Sequence, residues 1–192
     1  MIYLLIASYL IGSISSAVII CKALGLPDPR TQGSKNPGAT NVLRLGGKKI
    51  AGFVLTFDGL KGATPVIIGH YLEFGLTQLT LITLCAFLGH IFPVFFRFRG
   101  GKGVATYLGG LIAINLLAGL IFSVIWLLVA KVLKTSSLAA LIATALSPFY
   151  FYFITGDMAS TLIIGLISLL IFYTHRGNIK RLINKEEDVI QS

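Results

Sequence analysis

VATYLGGLIAINLLAGLIFSVIWLLVA, residues Val104–Ala130, runs for 27 residues without a charged side chain. A membrane-spanning helix needs about 20 apolar residues, so this stretch belongs in a bilayer. Its flanks are basic: Lys102 stands before it, and Lys131 and Lys134 follow. Basic residues are retained on the cytoplasmic side. Both ends must then lie on one side, so the chain between them crosses twice or re-enters. Twenty-seven residues are short for two full crossings at about 1.5 Å per residue. Gly109, Gly110, Asn115 and Gly119 offer places to break. The expectation is two short helices here.

Outward from this stretch the pattern repeats. Apolar segments cover Ile2–Leu24, Ile50–Tyr71, Leu76–Phe96, Leu138–Ile154 and Met158–Thr174. Polar segments separate them. The fold class expected is all-α: a polytopic membrane helical bundle of seven helices, some short, with a five-span arrangement as the alternative. Residues 1–192 read as a single domain. Fourteen of the sixteen Lys and Arg fall in four segments: the first loop, Arg97–Lys102, Lys131–Lys134 and the tail after His175. The turns around Glu73 and Asp157 hold none. The N-terminus is then expected outside and the C-terminus in the cytoplasm. Met1–Ile20 has no Lys or Arg before its apolar run, which argues against a cleaved signal and for a retained helix.

Composition agrees. Of the 192 residues, 55% are hydrophobic and only 12% charged. A soluble domain carries about 25% charged residues, and a disordered chain is polar throughout. The net charge of +9 would suggest nucleic acid in a soluble protein. Here it tracks topology, and no nucleic-acid partner is expected. Cys21 and Cys85 are the two cysteines, both in apolar stretches and without a CxxC, so neither a disulfide framework nor a structural metal is expected.

Three polar segments could carry chemistry. The first is Asp28-Pro29-Arg30-Thr31-Gln32-Gly33-Ser34-Lys35-Asn36-Pro37-Gly38-Ala39-Thr40-Asn41-Val42-Leu43-Arg44. Small hydroxyl and amide residues, glycine and cations can present several donors to one anion. An ordinary loop made basic by topology would look similar. The second is Arg99-Gly100-Gly101-Lys102-Gly103-Val104-Ala105-Thr106 at a helix start, where glycines let backbone approach a ligand and N–H groups favour an anion. It is not a Walker A loop: Phe96 and Gly103 stand where glycine and Ser or Thr are required. The third begins His175-Arg176-Gly177-Asn178, with an imidazole at a helix end that can bind phosphate, carry a proton or pair with the helix dipole. Inside the bundle, Asp58 and Lys61 share a helix face, and His90 precedes Ile91-Phe92-Pro93. Intramembrane charge marks a functional site or a structural pair. There is no GxSxG elbow, no acidic metal cluster and no His-x4-Asp pair; Gly75, Phe95 and Lys180 follow His70, His90 and His175 at that spacing.

Gly33–Arg44, Gly89–Thr106 and His175–Leu182, with Asp58–Gly62 and Gly12-Ser13-Ile14, resemble the motifs of the acyl-phosphate:glycerol-3-phosphate acyltransferases, the PlsY family. The resemblance runs in order along nearly the whole chain. Ser15 stands where Pro is common and Lys185 where Gly is usual, whereas Glu187 fits. It implies a multi-pass enzyme of the bacterial inner membrane with its site facing the cytoplasm. An acyl group would pass from acyl phosphate to the 1-hydroxyl of glycerol 3-phosphate, giving lysophosphatidic acid and phosphate. It implies no cofactor, and as partners the two substrates, the lipid bilayer and an upstream enzyme that forms acyl phosphate. Lys102, His175, Asn178 and Ser34 would be catalytic. Gly33, Asn36, Thr40, Asn41, Arg44, Gly100, Gly101, Gly103 and Thr106 would bind substrate. The competing reading is a small organic-phosphate transporter, toward which only Asp58 and Lys61 lean.

Overall fold

The structure, a computed structural model, describes residues 1–189. Among these residues there are nine α-helices and no strand. They are α1 (Ile2–Gly12), α2 (Ser16–Ala23), α3 (Ala39–Tyr71), α4 (Leu76–Ile91), α5 (Val104–Ile114), α6 (Leu116–Leu133), α7 (Ser136–Thr155), α8 (Met158–Thr174) and α9 (Arg176–Ile183). A 3-10 turn covers Val94–Phe96.

Seven helices are expected from the sequence and nine are present: Ile2–Leu24 is split into α1 and α2, and the tail, expected to be polar and non-spanning, carries α9. α1 and α2 meet at 41°, α8 and α9 at 60°. The first bend has a cause far along the chain. Lys61 Nζ donates to the carbonyl of Ile14 at 2.8 Å, taking up an oxygen that an unbroken helix would have bonded itself. Backbone at membrane depth must find such a partner. α3 is also broken, at Gly47 (φ +82°), so its first turns swing away from the long segment that follows.

Four helices are long and apolar enough to cross a membrane alone: α3, α4, α6 and α7. Counting each bent pair as one span gives up to six by length and composition, with the short α5 besides. α5 is different. Eleven residues extend about 16 Å, roughly half of a ~30 Å hydrocarbon core. Asn115 ends it in an extended conformation and caps α6, its Oδ1 accepting from the Ala118 N–H at 2.9 Å. The break anticipated in Val104–Ala130 therefore falls at the asparagine.

In lipid, helices associate through close packing rather than exclusion of water, and small residues allow it. α3 and α5 touch backbone to backbone: a Cβ on Gly62 would strike the Thr106 carbonyl, and one on Gly109 the Gly59 carbonyl. α1 and α4 do the same through Gly12 and Gly89. Around these contacts Phe87, Tyr107, Phe122 and Phe151 are fully buried. Tyr107 meets Phe122 edge-on at 5.6 Å and donates to Ser147 Oγ at 2.8 Å. Phe153, Leu162 and Leu169 point outward with nothing covering them, as a lipid-facing surface requires.

Candidate active site

The three polar segments converge on one cavity of about 1000 Å³. The first segment is shaped from behind. Asn41 is buried, its amide donating to the carbonyls of Pro29 (2.9 Å) and Gln32 (3.0 Å), and its oxygen accepting from the Ser34 N–H (3.0 Å). Gly33 (φ +59°) leaves room for that oxygen. Asp28 and Arg30 pair at 2.6 Å, and Arg30 lies over the Phe96 ring, joining this loop to the next. Hydrogen bonding from Arg30 holds the Asp28 carboxyl below its ordinary range. With the loop so tied, Ser34, Asn36, Thr40 and Arg44 line the cavity.

The glycine-rich segment wraps the end of α4. Arg97 and Phe98 both have positive φ. The Gly101 N–H donates to the His90 carbonyl at 3.2 Å. A Cβ on Gly100 would run into the His90 and Ile91 carbonyls, and one on Gly101 into the His90 ring. Gly103 (φ +87°) caps α5 without a side-chain bond, so the first N–H groups of α5 stay available beside the cavity. Lys102 projects into the same space. Burial pushes its ammonium down to about 8; Arg181 and Arg44 add to that and Glu187 opposes it.

The third segment sits at the α8–α9 bend. His175 is buried, and its Nδ1 lies 2.8 Å from the Ile171 carbonyl. A carbonyl only accepts, so Nδ1 carries the proton and Nε2 keeps a lone pair. Burial, helped by the Lys102 charge, lowers this imidazole to about 4, so it is neutral at neutral pH. Thr174 Oγ1 donates to the Lys102 carbonyl at 3.2 Å. Glu187 gathers the rest: its carboxylate accepts from Asn178 Nδ2 (2.5 Å), Ser137 Oγ (2.7 Å) and Arg181 Nε (2.7 Å). Burial works against its charge, but these three bonds prevail and hold its carboxyl below the ordinary value. Asp188 pairs with Arg44 at 2.9 Å. The polar end thus carries Arg44, Lys48, Lys102 and Arg181 against Glu187, Asp188 and, on the floor, Asp58, an excess of one positive charge. Leu55, Leu108, Phe122, Trp126 and Leu127 line the other end.

A family model described as "Glycerol-3-phosphate acyltransferase" matches residues 2–185. The chain belongs to the glycerol-3-phosphate acyltransferase family. The family's curated members include a glycerol-3-phosphate acyltransferase of Ruthia magnifica subsp. Calyptogena magnifica, 62% identical over 98% of this chain and 96% of that one. Another, from Hydrogenovibrio crunogenus, is 49% identical over 96% of this chain and 88% of its own length. Among solved structures, PlsY (YgiH), an integral membrane glycerol 3-phosphate acyltransferase in its glycerol 3-phosphate form, superposes with a TM-score of 0.94 at 38% identity, over 99% of this chain and 95% of that chain. Its lysophosphatidic acid form gives 0.90 at 36%, over 98% and 94%. The chain is an all-helical integral membrane protein of this family, and membership does not favour the transporter reading.

Set against this acyltransferase fold, the expected site residues divide. Ser34, Asn36, Thr40, Arg44, Lys102, Gly103, His175 and Asn178 share the cavity wall. Gly33 and Asn41 do not; they were expected on substrate and instead shape the loop, because every polar atom of the Asn41 amide is spent on backbone. Gly100 and Gly101 approach α4 rather than the cavity. Thr106 is fully buried on α5, where its backbone meets α3. Arg181, Ser137, Glu187 and Asp188 were not anticipated on the wall. A signal existed for Glu187: it is one of only seven acidic residues, set among the tail's cations.

Proposed function

We propose that this chain transfers an acyl group from acyl phosphate to the 1-hydroxyl of sn-glycerol 3-phosphate, giving lysophosphatidic acid and inorganic phosphate. One observation carries the reading. A single cavity joins a cationic end, holding Lys102, Arg44 and the α5 N-terminus, to an apolar end under Phe122, Trp126 and Leu127. A phosphate fits the first and a fatty chain the second.

Acyl phosphate is a mixed anhydride with a good leaving group, so alignment of the two substrates does most of the work. The glycerol oxygen bonds to the acyl carbon while the bond from that carbon to the phosphate oxygen breaks. The hydroxyl proton passes to a phosphate oxygen of the donor. Lys102 and the α5 N–H groups meet the negative charge that grows on carbonyl and phosphate. Arg44, Ser34 and Asn178 hold the glycerol phosphate. His175 Nε2, which keeps its lone pair, is the alternative acceptor of the hydroxyl proton. Its lowered pKa moves the acid limb expected of such a base from 6–7 to about 4. The basic rim faces the cytoplasm of a bacterial inner membrane, with the N-terminus outside and the C-terminus inside. The donor arrives from an enzyme that makes acyl phosphate.

The experiment incubates purified protein with acyl phosphate and labelled glycerol 3-phosphate. Labelled lysophosphatidic acid is expected. Its absence from a folded preparation would sink the proposal, and product formed from acyl-CoA alone would reassign the donor.

A further inference from the structure

Beneath the glycine-rich segment lies a polar cluster that the proposed reaction does not use. Asp58 on α3 is 3% exposed. Its Oδ1 lies 2.8 Å from Lys61 Nζ, accepts from Ser16 Oγ at 2.7 Å and stands 3.6 Å from His90 Nδ1. Lys61 also bonds the Ile14 carbonyl at the α1–α2 bend. His90 on α4 is 7% exposed, and its Nδ1 has no hydrogen-bond partner. Asp58 and His90 both reach the cavity floor. The Nε2 edge of the His90 ring lies where a Gly101 side chain would be, and the His90 carbonyl receives the Gly101 N–H.

We infer that Asp58, Lys61 and His90 are positioning residues that set the Gly100–Gly103 backbone, and with it Lys102 and the α5 N–H groups, against the donor's phosphate. The inference rests on the proposed function. The loop needs outside support, because Arg97 and Phe98 both lie in the left-handed region. Residues held there persist only when their surroundings over-determine them. Two clamps are in view: the His90 ring and carbonyl on the inner side, and Thr174 Oγ1 on the Lys102 carbonyl. The polar group nearest the imidazole is Asp58, 3.6 Å from its Nδ1, and Lys61 balances the Asp58 charge. A purely structural ion pair would not need a ring wedged under Gly101. The cluster therefore ties the α1–α2 bend, α3 and α4 to the one loop whose placement decides where the donor sits.

The test is steady-state kinetics in both substrates on purified protein, with a melting curve for each variant. His90→Ala is expected to raise KM for acyl phosphate roughly ten- to a hundred-fold, the range for misplacing a binding group by about 1 Å. KM for glycerol 3-phosphate should stay within about two-fold of wild type. Asp58→Asn alone would strand a buried ammonium and risk unfolding. The second variant is therefore Asp58→Asn with Lys61→Gln, which removes both charges and keeps a donor for the Ile14 carbonyl. It should show the same selective rise. Equal changes in both KM values, or a loss confined to the yield of folded protein, would overturn the inference. A wild-type chain that uses another acyl donor would overturn the donor assignment instead, and the KM split measured with that donor would still decide this one.

Discussion

Lys102 is the residue whose charge can be switched without a mutation. Its ammonium, ordinarily near 10.5, is lowered to about 8. Raising the pH from 7 to 9 then takes the charged fraction from about nine-tenths to about one-tenth. If the cation holds the donor phosphate, kcat/KM falls about ten-fold over that interval. This ratio is the right readout because it reports groups of the free enzyme. The rates are corrected for uncatalysed hydrolysis of acyl phosphate. Lys102→Arg keeps a cation that does not titrate here, so its alkaline limb should leave the accessible range even if its absolute rate is lower. Stability supplies an independent check. A folded pKa below the unfolded one means the folded state disfavours the charge. The cost is full below about pH 8 and vanishes above 10.5. At pH 7 it amounts to at most about 3 kcal/mol, less for the part of Lys102 that solvent screens. Lys102→Met should therefore be inactive yet melt higher than wild type at pH 7, with the difference shrinking toward pH 10. A flat kcat/KM from pH 7 to 9, or an unchanged limb in Lys102→Arg, would refute the argument.

Other outcomes follow from the same geometry. Between pH 6.5 and about 4 the unfolded chain protonates His175 and the folded chain does not, so stability should fall as pH falls, by up to about 3 kcal/mol; melting curves of His175→Asn should lack that part of the slope. Glu187→Gln weakens the acceptor shared by Ser137, Asn178 and Arg181, and should cost about 1.5–3 kcal/mol by chemical denaturation and raise KM for glycerol 3-phosphate. Gly109→Ala drives a methyl into the Gly59 carbonyl and should cost about 1–3 kcal/mol, whereas Gly165→Ala, which meets nothing within 4 Å, should stay within about 0.5 kcal/mol.

That Val104–Ala130 breaks was legible from its basic flanks and its four candidate breakers, and the structure places the break at Asn115, whose side chain caps α6. The bend after Gly12 was not. Nothing in Ile2–Leu24 announces that Lys61, more than forty residues away, will take the Ile14 carbonyl. The start of α3 was hidden as well, since Gly46-Gly47 reads as loop although helix runs on both sides of the kink. In the site, the resemblance named Ser34, Arg44, Lys102, His175 and Asn178 from three separate segments, and all five line one cavity. Motif membership alone could not separate wall from scaffold. Asn41 and Gly101 have residue types suited to a ligand, and only tertiary packing assigns them to the Pro29 carbonyl and the His90 ring. Asp188 escaped notice because its partner, Arg44, lies on another segment.

The glycine contacts between α3 and α5 have a mechanical consequence. Where backbone rests on backbone there is no side chain left to trim or enlarge, so these two helices form one fixed jaw. α6 is different. It meets α5 tightly only near Asn115, where a Cβ on Gly119 would reach the Ile112 backbone, and beyond that it faces the slot with Phe122, Trp126 and Leu127. It is the opposing jaw, joined to α5 at its start and backed by α7. A lineage that adapts to longer or shorter chains must rewrite the inner surface of that helix, because the jaw across from it cannot shift without prising α3 and α5 apart.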